Sequence, residues 1–151
     1  MDGHQIRLTY PWEYELQGDK QQNDRDFLDQ GQGKIKSAAG LAELTEHLKS
    51  IESNFVFKLV RKFNQPTNLQ NSQVFVTLVE SPSIEPKVFL GTTEFPVSEF
   101  SNQQGLALID VSEFLQVSNQ LSVVLQKSDL QNEYADQFLL DVLEKTRLLI
   151  T

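Results

Sequence analysis

Between residues 54 and 125 apolar side chains recur at every second position, in runs separated by glycine, proline and asparagine. That period of two predicts β-strands. In residues 55–63, Phe55, Phe57, Leu59, Arg61 and Phe63 share one parity, while Val56, Lys58, Val60 and Lys62 share the other. The first set is the core-facing one, with Arg61 as its single charge. A buried guanidinium must be paired, so its head is expected on a carboxylate (Glu13, Glu80 or Asp110) or on several carbonyls. In residues 74–79, Val74, Val76 and Leu78 alternate with Phe75, Thr77 and Val79, so both faces are apolar. Such a strand is covered on both sides or sits under a loop. Further strands are expected at 87–90, after the proline-punctuated turn 81–86, and at 106–111 and 119–125.

Toward the N-terminus Ile6, Leu8 and Tyr10 share a parity that Trp12, Tyr14 and Leu16 continue across Pro11. Proline within a strand pattern predicts two short strands, or one edge strand bent at that point. Residues 17–33 are polar and turn-rich, and read as a surface loop. Residues 34–36 suit a short strand. Leu41, Leu44, Leu48 and Ile51 fall at helical spacing, which predicts one helix of about three turns over 40–51, started by Ser37 or Gly40. His47 lies off that stripe and is expected to be exposed. Residues 134–143 fit a helix or an irregular lead-in, and 144–150 fits a closing strand.

At 151 residues, with 39% hydrophobic residues and ten phenylalanines, one domain with a sizeable core is expected. No cysteine is present, which excludes disulfides, thiolate metal sites and cysteine nucleophiles. The formal charge of −8, with no basic cluster longer than Arg61-Lys62, argues against nucleic acid as a partner. The N-terminus lacks a basic patch followed by an apolar stretch, and no apolar run approaches the ~18 residues of a membrane span. A soluble, cytoplasmic protein is the expectation.

Three stretches carry a resemblance. Tyr10-Pro11-Trp12 lies in the first strand region, and residues 57–63 with Pro66 form an aromatic and basic strand followed by proline. Asp110-Val-Ser-Glu-Phe-Leu115 leads into Asn119-Gln-Leu-Ser-Val-Val-Leu125. Together they resemble the galactose-binding-like jelly roll found as the sugar-binding domain of family 2 glycoside hydrolases, the β-galactosidase and β-glucuronidase group. The resemblance spans residues 5–126 and 145–150. It implies an all-β jelly-roll β-sandwich, here with one short helix, occupying 1–151 as a single domain. Phe89-Leu90-Gly91 stands where that family usually carries Trp-x-Asn-Gly. The family's catalytic glutamates lie in a separate barrel domain, so no catalytic residue carries over. Asp110 and Ser112 are expected to be structural, with the Ser112 side chain capping the turn that follows it.

Reactive constellations are sparse. Asp24, Asp26 and Asp29 sit in the polar stretch and Asp136 and Asp141 near the C-terminus, without the cleft that paired-carboxylate chemistry requires. Many members of the superfamily hold a structural calcium; Asp19, Asp24, Asp26 and Asp29 supply oxygens without a calcium-loop spacing, so no cofactor or metal is assigned. His4 and His47 are too few for a catalytic zinc site, and no Gly-x-Ser-x-Gly turn is present.

The aromatic candidates for a ligand platform are Trp12, Tyr14, Phe95 and Tyr134. Trp12, on an alternating strand, also reads as core, whereas Phe95 beside Pro96 is expected to be exposed. The resulting expectation is a non-catalytic accessory or protein-interaction module, contacting another protein or its own copy. The alternative is a carbohydrate-binding module using loops at one end of the sandwich. A contiguous apolar patch favours the first, an exposed aromatic among convergent amides the second, and a deep cleft with two buried carboxylates an enzyme.

Overall fold

A computed structural model of the chain describes residues 3–18, 31–96 and 99–151. In chain order the strands are β1 (His4–Arg7), β2 (Trp12–Gly18), β3 (Gln32–Ile35), β4 (Phe55–Asn64), β5 (Val74–Val79), β6 (Lys87–Leu90), β7 (Thr93–Phe95), β8 (Ser101–Gln103), β9 (Leu106–Asp110), β10 (Ser118–Gln126) and β11 (Arg147–Ile150). Among the described residues three α-helices join them: α1 (Ala38–Ser50), the single turn α2 (Lys127–Leu130) and α3 (Ala135–Lys145).

The strands form two antiparallel sheets. One has five strands in the order β1-β11-β5-β9-β8, the other six in the order β3-β2-β4-β10-β6-β7. Their inward parities meet in one core, so the protein is an all-β sandwich. Phe55, Phe57 and Leu59 of β4 are buried as their alternation requires, facing a core that also takes Val74, Val76 and Leu78 of β5.

The break at Pro11 is where the chain changes sheet: β1 belongs to the five-stranded sheet and β2 to the six-stranded one. The corner is pinned from several sides. The Leu8 amide donates to the Thr146 carbonyl (3.0 Å), and the Trp12 indole Nε1 donates to the Leu8 carbonyl (3.0 Å). Arg61 Nε donates to the Thr9 carbonyl (2.8 Å), and the Tyr10 hydroxyl donates to Glu144 Oε2 (2.9 Å). Arg61 thus takes the carbonyl solution; its Nη1 adds the Lys62 carbonyl, and no carboxylate among the described residues pairs with it.

Ser37 starts α1, its hydroxyl accepting from the Gly40 amide at 3.1 Å. Leu41, Leu44, Leu48 and Ile51 are all buried. The expectation of one helix falls short, because residues 135–145 form a second. Phe138, Leu139, Val142 and Leu143 make its buried stripe, which joins the same core as α1. The polar stretch 17–33 is strand at both ends: Gln17 and Gly18 close β2, while Gln32 and Gly33 open β3. Asp19, Asp24, Asp26 and Asp29 lie outside the described residues, and the calcium expectation with them.

Candidate functional site

The four aromatic candidates do not come together. Trp12 is fully buried and bound to the Leu8 carbonyl. Tyr14 is half-buried, tilted on Phe57 at 6.2 Å between ring centres, and lies across Gly33, where an added Cβ would stand 2.9 Å from its ring. Phe95 is buried rather than exposed, because Phe114 packs edge-on against it at 5.2 Å and 89°. Tyr134 is exposed at the start of α3. Trp12 and Phe95 are also separated by β4, β10 and β6. The exposed ring that sequence reasoning missed is Phe114. A signal existed: a single helical turn bounded by Glu113 and Gln116 offers little surface to bury both Phe114 and Leu115.

Phe114 borders a depression of about 300 Å³ at one end of the sandwich. Gly91, Thr92, Thr93, Gln116, Ser118 and Gln120 also line it. The residues most like the resembled family build its frame. Asp110 Oδ1 accepts from the Ser112 amide (3.0 Å) and hydroxyl (2.6 Å). Ser112 does not cap its turn as expected; its hydroxyl oxygen accepts from the Val74 amide at 2.8 Å, tying that turn to β5. The turn is one 3₁₀ unit, Ser112–Phe114, whose first amide is taken by Asp110 instead. Asn119 uses both ends of its amide on the Gln116 backbone, accepting at 2.9 Å and donating at 2.8 Å.

The other cavities differ in character. A cleft of about 210 Å³ beside β5 and α3 has Ile84, Phe100 and Phe138 in its lining. Its carboxylates, Glu80 and Glu85, are both exposed. Asp136 pairs with Lys49 (2.9 Å) and Asp141 with Lys145 (3.3 Å). Among the described residues no group of three metal-ligating side chains occurs. His47 is half-buried rather than exposed, with Nε2 unpartnered.

The two outer sheet faces differ in their charges, and both carry half-exposed apolar side chains: on the six-stranded sheet Val56, Phe89 and Val124 line a depression of about 340 Å³. On the six-stranded sheet the outward parity carries Glu13, Glu15, Lys58 and Lys62, with Lys58–Glu15 and Lys62–Glu13 pairs at 3.9 Å each. On the five-stranded sheet the outward parity places Leu149 beside Phe75, and Arg147 beside Thr77 and then Leu108, with Leu106 beside Val79. Thr77, Leu108 and Leu149 form a nearly buried floor; Phe75, Val79 and Leu106 are half-exposed. A groove of about 450 Å³ runs over this floor, bounded by Gln5, Lys145 and Arg147 on one side and Gln103 and Gln104 on the other.

The chain matches no protein-family model, and no curated protein matches it by sequence. Among the described residues no helix is long and apolar enough to cross a membrane.

Proposed function

We propose that this chain is a non-catalytic binding module that docks a protein partner on the outer face of its five-stranded sheet. We further propose that its sandwich is a jelly roll of the galactose-binding-like kind. Strand order supports the fold reading. With β2, β3 and β8 set aside, eight strands remain, ordered first-eighth-third-sixth in one sheet and second-seventh-fourth-fifth in the other. The first and eighth, second and seventh, third and sixth, and fourth and fifth are all antiparallel neighbours, as in a long hairpin rolled up on itself.

The observation that carries the docking reading is the apolar groove. The outer face of an antiparallel sheet is ordinarily polar where water covers it. An apolar strip three strands wide, rimmed by amides and cations, has the anatomy of an interaction surface. The test is a selection of a random 12-residue peptide library, displayed on phage, against the immobilised full chain. Selected peptides are expected to lose binding to Leu106→Glu and keep it for Val124→Glu, a half-buried position on the opposite outer face. The reverse pattern overturns the reading.

Phe114 favours a second reading, a carbohydrate-binding module at the loop end. An open aromatic face among Thr92, Thr93, Gln116 and Gln120 has the elements of sugar recognition. Under the docking reading, calorimetry with galactose, glucose, glucuronate and short oligosaccharides detects little or nothing. A dissociation constant below about 0.1 mM, roughly −5.5 kcal/mol, abolished by Phe114→Ala, would make the glycan reading the leading one.

A further inference from the structure

Arg7 and Arg147 stand directly opposite each other in the β1–β11 register, both on the outer parity of the five-stranded sheet. Like charges directly opposite on one face destabilise a strand pair. Neither guanidinium forms an ion pair among the described residues, although the chain has 21 acidic side chains against 13 basic ones. Arg147 uses Nη1 on Gln5 Oε1 at 2.9 Å, while its Nε is buried with no partner. Lys145 adds a third cation at the same rim, shared with Asp141 at 3.3 Å. A molecule of net charge −8 therefore places beside its apolar groove two arginines that have no ion pair among the described residues.

We propose that the groove takes an acidic segment of a partner protein, with one carboxylate seated between Arg7 and Arg147 and neighbouring apolar side chains on Val79, Leu106 and Leu108. This inference rests on the docking reading and gives the partner its chemistry. A carboxylate is the matching ligand: the planar fork of arginine pairs with it through two parallel N–H donors, and an anion between the two heads relieves their repulsion. The apolar floor demands more than an ion, because a hydrated anion alone would leave it uncovered. A second copy fits poorly. Two chains of charge −8 repel, and the only acid on the outer parity of the described sheet is Asp110, already accepting from Ser112. A phosphate backbone would leave the apolar floor uncovered.

The experiment continues the peptide selection on the full chain. Enriched 12-mers are expected to be net negative and to carry apolar residues. Arg7→Glu, at an exposed position, is expected to weaken their binding about tenfold or more, a change of about 1.4 kcal/mol. Arg147→Gln is expected to act in the same direction, with melting curves verifying that both variants fold. Enrichment of neutral or basic peptides, or unchanged affinity for Arg7→Glu, overturns the acidic partner. If Leu106→Glu still abolishes that binding, the docking reading survives alone; if neither variant matters, both fail. Absence of any enriched peptide, with a dimer by sedimentation, overturns the proposal in favour of self-association.

Discussion

The outer faces of the two sheets solve the same problem differently. On the six-stranded sheet, outward side chains of opposite sign lie within reach of one another, Lys58 with Glu15 and Lys62 with Glu13. That face is balanced in charge, and Val56, Phe89 and Val124 on it are half-exposed. On the five-stranded sheet the equivalent positions hold Leu149, Phe75, Thr77 and Leu108, and the nearest charges are two arginines opposite each other. Among the described residues, the first face pairs Lys58 and Lys62 with glutamates, and the second leaves Arg7 and Arg147 without an ion pair. The contrast teaches that the apolar content of a strand's second parity is informative when its neighbours leave it uncovered.

The strongest way to break the comparison is to make the same truncation inside and outside. Phe57→Ala, at a fully buried position, is expected to cost about 3–5 kcal/mol in denaturant unfolding. Phe75→Ala, on the half-exposed outer parity, is expected to cost well under half of that. Equal losses would mean that the outer face of the five-stranded sheet is core.

The corner joining the two sheets supplies a control that touches neither outer face. Partial burial, aided by the hydrogen bond to Glu144 and its charge, pushes the Tyr10 phenol up to about 12 from 10.0. A raised folded-state pKa means that this contribution to stability is complete below pH 10 and is lost as pH rises from 10 through 12. Phenolate absorbance, assigned by difference from Tyr10→Phe, should show the late titration. Glu144→Gln should return it toward the ordinary value.

Ser122 sharpens the comparison from the other side. It lies on the balanced face, yet its hydroxyl is buried and has no partner. Ser122→Ala is expected to raise stability by about 1 kcal/mol, since it removes an unsatisfied polar group. A loss of similar size would reveal a partner for the hydroxyl. The smallest effect belongs to the charge pairs: Lys58→Gln and Lys62→Gln should each change stability by about 0.5 kcal/mol or less, as partly exposed pairs do. A larger loss would mean that the charges hold that sheet together.

Much of the fold was legible where one periodicity acted alone. The alternation in β4, the helical stripe of α1 with its Ser37 start, and the break at Pro11 each required only local pattern. Helix α3 was ambiguous because Leu139 and Leu140, and Val142 and Leu143, are adjacent pairs that satisfy neither period strictly; the core buries Phe138, Leu139, Val142 and Leu143 as one broad stripe. The ends of β2 and β3 were hidden because β3 is an edge strand whose residues are mostly polar. The candidate site was half legible. The two apolar parities of β5 were visible in sequence, but which one stays uncovered depends on how β11 and β9 pair beside it. The opposition of Arg7 and Arg147, 140 positions apart in sequence, exists only through the β1–β11 register. Phe95, expected to be exposed, is buried because β7 sets it opposite Val88 and Phe114 packs against it, contacts between segments that local pattern does not show.

The most direct test of the docking face is a map of backbone amide shifts on the ¹⁵N-labelled full chain, titrated with a selected peptide. Changes are expected to be confined to β1, β5, β9 and β11, largest around Arg7, Thr77, Leu108 and Arg147. Changes centred instead on the outward residues of β4 and β10, or on the loop cluster around Phe114, would contradict it.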